Sequence, residues 1–180
     1  MTTLTIRADT APHAVQTVLN DFEAIRDGVA PAGIGLERWV ASVPLAPDAD
    51  QAAVLSAYAD DIARLKARGG YQSVDVVRMT PDHPDRAAMR AKFLAEHVHD
   101  DDEVRFFVEG SGLFFIRHEG RVFELECTAG DLIVLPAGTL HWFDAGEAPR
   151  FAAIRLFTTP DGWVARFTGD PIAEAVLAAA

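Results

Sequence analysis

The spacing of hydrophobic residues changes near the middle of the chain. Before that point, short alternating stretches stand between longer ones in which apolar residues recur every three or four positions, the period of a helix that packs one face on a core. From Glu96 onward, short apolar segments are separated by turns rich in glycine, proline and aspartate, which is typical of an antiparallel sandwich or small barrel. The pattern predicts a β-rich second half preceded by mixed α/β structure.

Three helices are predicted in the first half. The periodicity favours helices over Pro12 to Gly28, Asp50 to Arg68 and Asp85 to Leu94, the first ending at a glycine and the second at a glycine pair. The second is the clearest, because one apolar stripe runs along its whole length. That stripe consists of Val54, Tyr58, Ile62 and Leu65.

Alternation and β-branched residues predict the strands. Three fall before the change in pattern, and seven follow it. The predicted strands are 3–7, 36–40, 73–79, 96–99, 103–109, 112–117, 121–126, 131–135, 140–143 and 150–157.

Length, charge and cysteine content narrow the class of protein. The 180 residues favour a single domain, with N-terminal elements over 1–92, a barrel core over 93–165 and a C-terminal tail over 166–180. The net charge of −11 argues against nucleic acid and anionic membranes as partners. The single cysteine, Cys127, permits no internal disulfide, and neither a signal peptide nor a membrane span is visible. We therefore expect a cytoplasmic protein.

A cluster of possible metal ligands opens the β-rich half. His97 and His99 are two residues apart, so a strand would place both imidazoles on one face, about 7 Å apart. Glu103 begins the next strand, and His141 offers a further nitrogen donor. Imidazole with carboxylate suits a divalent transition metal. The alternative is that these residues form a polar barrel mouth with a solvated acidic turn and bind no metal. A calcium loop is excluded because Arg105 stands where such a loop needs glycine.

Two motifs around these residues resemble the pair of motifs of the cupin superfamily. Glu103 is followed by Gly110, and further on Gly130, Pro136 and His141 stand at the expected relative spacings. Longer segments are similar to the bacterial acireductone dioxygenases of methionine salvage. These segments are EVRFFVEGSGLF at 103–114, LPAGTLHWFD at 135–144, IRLF at 154–157 and DGWVA at 161–165.

The resemblance implies a fold and a metal. The fold would be mainly β, a cupin-type antiparallel β-barrel (jelly roll) with N-terminal α/β decoration. One Fe(II) or Ni(II) per chain would be held by His97, His99, Glu103 and His141. Four protein ligands leave two positions of an octahedral ion open, which suits an enediolate that chelates through two adjacent oxygens.

The resemblance also implies a reaction. Members of the family oxidise acireductone, 1,2-dihydroxy-3-oxo-5-(methylthio)pentene, with dioxygen. With Fe(II) the products are 4-methylthio-2-oxobutanoate and formate, and with Ni(II) they are 3-methylthiopropanoate, formate and carbon monoxide. The ligand set alone does not choose between the two metals.

Five further residues are candidates for the site. Arg105 shares a strand face with Glu103, so it either points inward, towards substrate or Glu103, or forms an exposed ion pair. Arg155, on a late strand, is a second candidate catalytic arginine. Phe93, Phe143 and Trp163 match positions that line the substrate pocket in the family, although large aromatic residues are also commonly part of a core.

Two other classes of function, an isomerase and a sensor, are alternatives to the dioxygenase. A cupin isomerase acting on a sugar would need polar groups for several hydroxyls, whereas the residues beside the ligands are apolar. A sensor would need a basic DNA-binding helix, which this acidic chain lacks. Dioxygen consumption distinguishes the dioxygenase from both. We expect a monomer with a small-molecule substrate and O2 as its partners.

Overall fold

The computed structural model describes residues 1–179; Ala180, the end of the predicted tail, lies outside the described residues. Most elements are strands, joined by short turns. The strands are β1 Thr3–Ala8, β2 Ala11–Leu19, β3 Gly35–Arg38, β4 Ser73–Met79, β5 His97–Val98, β6 Glu103–His118, β7 Arg121–Thr128, β8 Asp131–Leu135, β9 Leu140–Asp144, β10 Phe151–Phe157 and β11 Arg166–Phe167. The helices are α1 Phe22–Val29, α2 Gln51–Ala57, α3 Ala59–Gly69, α4 Arg86–Phe93 and α5 Ile172–Leu177, with a 3-10 turn at Ala30–Ala32.

All strand pairs are antiparallel, and β6 belongs to two sets of them. One set runs in the order β11-β5-β9-β6-β7-β1-β2, and the other in the order β4-β10-β6-β8-β3. The N-terminal strands β1, β3 and β4 therefore extend the sheets built by the second half of the chain. The predicted antiparallel, mainly β fold is confirmed.

The long strand β6 changes partners near Gly110. Its first half pairs with β8 and β10, and its second half pairs with β7 and β9. Gly110 has a φ of 67°, which L side chains rarely adopt, and a Cβ there would overlap the carbonyl oxygen of Arg150. We predicted two strands, at 103–109 and 112–117; the chain instead runs through the glycine as one bent strand.

Three apolar clusters hold the layers together. The largest fills the space between the two sets of strands and includes Phe107, Phe114 and Phe143. A second joins α2 and α3 to the outer face of β6, β8 and β10. In the third, α5 packs on Phe115 and Trp142, whose rings stack with centroids 5.2 Å apart. The strands therefore have a buried interior and helices on two outer faces.

The prediction of a helix over Pro12 to Gly28 is wrong in its first half. The chain forms β2 there and turns helical only at Phe22. Val15 and Val18 are at helical spacing, yet they are 50% and 56% exposed on the edge strand. The spacing misled because β-branched valines also suit a strand, and pairing with β1 decided the outcome.

The predicted helix over Asp50 to Arg68 is interrupted. Tyr58 separates α2 from α3 with a φ of −116° and a ψ of 27°, and its hydroxyl donates to the carbonyl oxygen of Val43 at 3.2 Å. The predicted apolar stripe is nevertheless buried throughout. None of the helices within residues 1–179 is long and apolar enough to cross a membrane.

Candidate metal centre

Three imidazoles meet where β5 lies against β9. His97 and His99 come from β5 and the residue after it, and His141 is paired directly with His97 across the two strands. The ring centroids of His97 and His141 are 4.4 Å apart, and those of His99 and His141 are 5.3 Å apart. One candidate donor atom from each ring lies within 4.8 Å of the other two, and all three residues are buried. This is close enough to bind a single ion.

Backbone carbonyls orient all three rings. In each ring Nδ1 lies within hydrogen-bond distance of a carbonyl oxygen, which can only accept, so Nδ1 carries the proton. The Nε2 lone pair is then free to bind a metal, an arrangement common among metal-ligating histidines. The three hydrogen bonds are His97 to Ala95 at 2.7 Å, His99 to Val164 at 3.1 Å and His141 to Thr139 at 2.8 Å.

The two oxygens of Glu103 have different neighbours. Oε1 accepts hydrogen bonds from Nε and Nη2 of Arg105, at 3.2 and 2.6 Å. Oε2 lies 3.5 Å from Nε2 of both His99 and His141. Arg105 therefore points inward, which was one of the two predicted alternatives. It leaves one oxygen of the Glu103 carboxylate facing the imidazoles.

Two buried polar atoms at this point lack a hydrogen-bond partner. They are Oε2 of Glu103 and Nε2 of His141. Buried polar atoms are rarely left unpaired, because desolvation without a new bond costs free energy. A divalent cation bound to both atoms would remove that cost, so the residues fit a divalent transition-metal ion.

The surroundings favour the protonation states that bind metal. Burial, assisted by the neighbouring His141, lowers the pKa of His97 to about 4, and burial likewise lowers the pKa of His99. Burial by itself would raise the pKa of Glu103, but Arg105 and the nearby imidazoles outweigh it and hold that pKa well below its usual range. At neutral pH His97 and His99 are therefore neutral and Glu103 is ionised.

A cavity of about 380 Å³ opens onto the three histidines. Besides them it is lined by two arginines, one lysine and mainly apolar side chains. The lining residues are Val77, Met89, Lys92, Phe93, His97, His99, Arg105, His141, Phe143, Arg155, Trp163, Val164, Ala165 and Phe167.

The two arginines are held differently. The guanidinium of Arg105 lies over the rings of Phe114 and Phe143, 4.6 and 4.9 Å from their centroids. Arg155 donates two hydrogen bonds to Asp75, at 2.8 and 2.7 Å. Each guanidinium is thus fixed by a carboxylate while still reaching the cavity wall.

The residues we predicted for the substrate pocket all reach this cavity, in different surroundings. Phe143 is 2% exposed and belongs to the central core, Phe93 is half-buried, and Trp163 is 49% exposed at the opening. Phe143 therefore both lines the cavity and belongs to the core. Its ring also packs edge-on against that of Phe93, with centroids 6.3 Å apart.

Sequence reasoning missed several lining residues. Met89 and Lys92 were overlooked, although with Phe93 they follow helical i, i+3, i+4 spacing and so share one face of α4. Phe167 was assigned to the tail, but β11 pairs with β5 and sets its ring 5.7 Å from that of His97. Only the first of these omissions could have been avoided from local spacing.

Comparison with known proteins agrees with this geometry. The chain matches the model of the ARD/ARD′ family over residues 12–165. It is 57% identical over 173 residues to the acireductone dioxygenase of Parvibaculum lavamentivorans, covering 96% of this chain and 94% of the relative. Its identity to the acireductone dioxygenase of Alcanivorax borkumensis is 54% over 171 residues, covering 95% and 94%.

A solved structure is also similar. It is the acireductone dioxygenase from Bacillus anthracis with a cadmium ion in its active centre, which superposes with a TM-score of 0.80 at 30% identity, covering 93% of this chain and 98% of that one. Fold and site together define a metal-binding β-barrel of the cupin type, as predicted. More narrowly, this chain belongs to the ARD/ARD′ family, the acireductone dioxygenases.

Proposed function

We propose that this chain is an acireductone dioxygenase, which oxidises 1,2-dihydroxy-3-oxo-5-(methylthio)pentene with dioxygen. One observation carries the proposal beyond family membership. At the inner end of an apolar cavity, the free Nε2 atoms of three buried histidines and an unpaired oxygen of Glu103 face one another.

His97, His99, Glu103 and His141 would hold one Fe(II) or Ni(II) per chain. The ion would bind the enediolate and make it reactive towards dioxygen. Three neutral imidazoles and one carboxylate leave a divalent ion with a net charge of about +1, so the site favours an ionised substrate. The Fe(II) form would give 4-methylthio-2-oxobutanoate and formate, and the Ni(II) form 3-methylthiopropanoate, formate and carbon monoxide.

Arg105 and Arg155 would complete the polar side of the site. The pairing of Arg105 with Glu103 and its stacking on Phe143 fix the guanidinium beside the ligands. It can there stabilise negative charge on the substrate, because a buried guanidinium is a strong and directional donor. We assign Arg155 the same role from the neighbouring strand.

The apolar wall of the cavity suits the rest of the substrate. Phe93, Phe143 and Trp163 would surround the methylthio tail, since thioether sulfur makes favourable contacts with aromatic rings. Few lining groups could bind the several hydroxyls of a sugar, which disfavours the isomerase alternative.

We further propose that the chain acts as one domain and as a monomer, in the reducing cytoplasm. The N-terminal strands are integral to both sets of pairs, which supports a single domain over 1–180. Its one cysteine, Cys127, is fully buried in the central core.

The test is dioxygen uptake by metal-free protein reloaded with Fe(II) and supplied with acireductone. We expect uptake equal to the substrate consumed, with formate and the 2-oxo acid as products. Reloading with Ni(II) should give 3-methylthiopropanoate and carbon monoxide in place of the 2-oxo acid, again with formate. If the protein binds the metal and the substrate but consumes no dioxygen, the proposal is wrong.

A further inference from the structure

The chain contains only two lysines, Lys66 and Lys92, and one of them lines the metal cavity. Lys92 lies in the last turn of α4 with an exposed side chain, next to Phe93 at the cavity wall. Lys66 is on α3 and does not line this cavity.

The cations of the cavity differ in how they are neutralised. Arg105 is paired with Glu103, and Arg155 with Asp75. Within the described chain, no carboxylate lies at ion-pair distance from Lys92, although its neighbour Arg90 is paired with Asp144. Among the described residues that line the cavity, Lys92 is therefore the lysine or arginine without a carboxylate partner.

The position of this charge is fixed by the helix that carries it. Arg90 donates hydrogen bonds of 2.7 and 2.9 Å to the two carboxylate oxygens of Asp144 on β9, the strand that also carries His141. This pair thus ties α4, the helix that carries Lys92, to the metal-binding strand.

The uncompensated charge of Lys92 matters here because the protein as a whole is acidic. The net charge of −11 repels an anion that approaches from solvent, whereas a local positive charge at the mouth of a cleft attracts it. An uncharged substrate would gain nothing from this arrangement. The mouth is thus suited to an anionic small molecule.

We propose that Lys92 captures the ionised substrate at the cavity mouth and so raises the rate and affinity of its binding, without taking part in the oxidation. This inference rests on the proposed function, since it assigns the enediolate anion as the group that the ammonium attracts. Lys92 is thus a substrate-binding residue, whereas the oxidation depends on the metal, its ligands, Arg105 and Arg155.

The test compares Lys92→Gln, Lys92→Glu and Lys92→Arg with the matched control Lys66→Gln. In Fe(II)-loaded protein at low salt, we expect Lys92→Gln to lower kcat/KM about threefold to tenfold, with kcat nearly unchanged, and Lys92→Glu to lower it further. Lys92→Arg should restore most of the native value, and Lys66→Gln should match the native protein.

Ionic strength supplies a readout that a structural defect would not give. The ratio of native to Lys92→Gln kcat/KM should fall towards one as salt rises from about 0.02 to about 0.5 M, because exposed charges are then screened. A ratio that does not change with salt, or equal kcat/KM for Lys92→Gln and Lys66→Gln, would overturn the inference.

Binding without turnover separates this inference from the proposed function. Titration of Ni(II)-loaded protein with acireductone in the absence of dioxygen should give a Kd about threefold to tenfold higher for Lys92→Gln than for Lys66→Gln. Native protein that consumes no dioxygen would refute the proposed function alone, whereas equal Kd values in the two variants would refute the role of Lys92.

Discussion

Arg105 and Glu103 form a buried ion pair through one carboxylate oxygen only, with Nη2 of the arginine 2.6 Å from Oε1. The guanidinium and the carboxylate are 4% and 1% exposed, so each charge depends on the other for compensation. This pair links the proposed metal ligand to the proposed anion-binding group of the cavity.

Replacing Arg105 by methionine should therefore destabilise the protein and abolish efficient turnover. Breaking a buried pair by removing one partner costs about 3–5 kcal/mol, because an unpaired charge remains buried. Urea unfolding of the metal-free protein measures this loss. Arg86→Met is the control, because Arg86 is exposed. If Arg105→Met and Arg86→Met had the same free energy of unfolding, the buried ion pair would not stabilise the protein and the prediction would be wrong.

His141→Ala should lose the metal while the protein stays folded. Removing a direct ligand should weaken metal affinity by more than the roughly 10- to 100-fold typical of the groups that support a ligand. Metal at about 100 times its Kd should stabilise the native protein by about 2.7 kcal/mol and the variant by almost nothing. The control is His118→Ala, because His118 is partly exposed and lies away from the site. If His141→Ala had the same metal content and turnover as His118→Ala, the ligand set would be wrong.

Asp101→Ala should loosen the segment that contributes Trp163 and Val164 to the cavity wall. The buried carboxylate of Asp101 accepts hydrogen bonds from the hydroxyl of Thr158 and from the amide and hydroxyl of Thr159, at 2.6 and 2.9 Å for the latter two. These residues lead into Trp163 and into Val164, whose carbonyl orients His99.

We expect Asp101→Ala to lower the free energy of unfolding by about 2–3 kcal/mol, as for lost charge-assisted hydrogen bonds, and to lower kcat/KM as well. Thermal unfolding and steady-state kinetics measure the two effects. The neighbouring Asp100 is exposed and paired with Arg166 at the surface, so Asp100→Ala should be nearly silent. Equal behaviour of the two variants would show that Asp101 does not hold the segment.

Asp144→Asn should reduce stability at neutral pH but not in acid. Burial by itself would raise the pKa of Asp144, but the hydrogen bonds from Arg90 and Gly146 outweigh it and lower that pKa below its ordinary 3.8. A carboxyl group whose pKa is lower in the folded state than in the unfolded state stabilises the folded protein. This contribution is complete above the pKa of the unfolded state and is lost as the pH falls through the pKa of the folded state.

The difference in unfolding free energy between native protein and Asp144→Asn should therefore be constant from about pH 7 to about pH 5 and shrink below about pH 4. Urea unfolding across this range measures it. Asp48, which is exposed, is the control position for the same substitution. A difference that persisted undiminished in acid would indicate that the substitution acts through packing instead.

Most of the strand pattern and the cluster of candidate metal ligands could be read from the sequence because both depend on local spacing. His97 and His99 fall on one strand face whatever surrounds them, and motif spacing then singled out Glu103 and His141. The stripe from Val54 to Leu65 was predictable for the same reason, since a helix repeats every 3.6 residues wherever it packs.

Other features depended on contacts between distant parts of the chain. Val15 and Val18 fit a helix by spacing, and only pairing with β1 made them part of a strand. The partner of Arg155 is Asp75, 80 residues away, and the ring of Phe167 reaches His97 because β11 pairs with β5. Local sequence therefore determined which residues could bind a metal, whereas long-range strand pairing decided which arginines, aromatic rings and lysine would surround it.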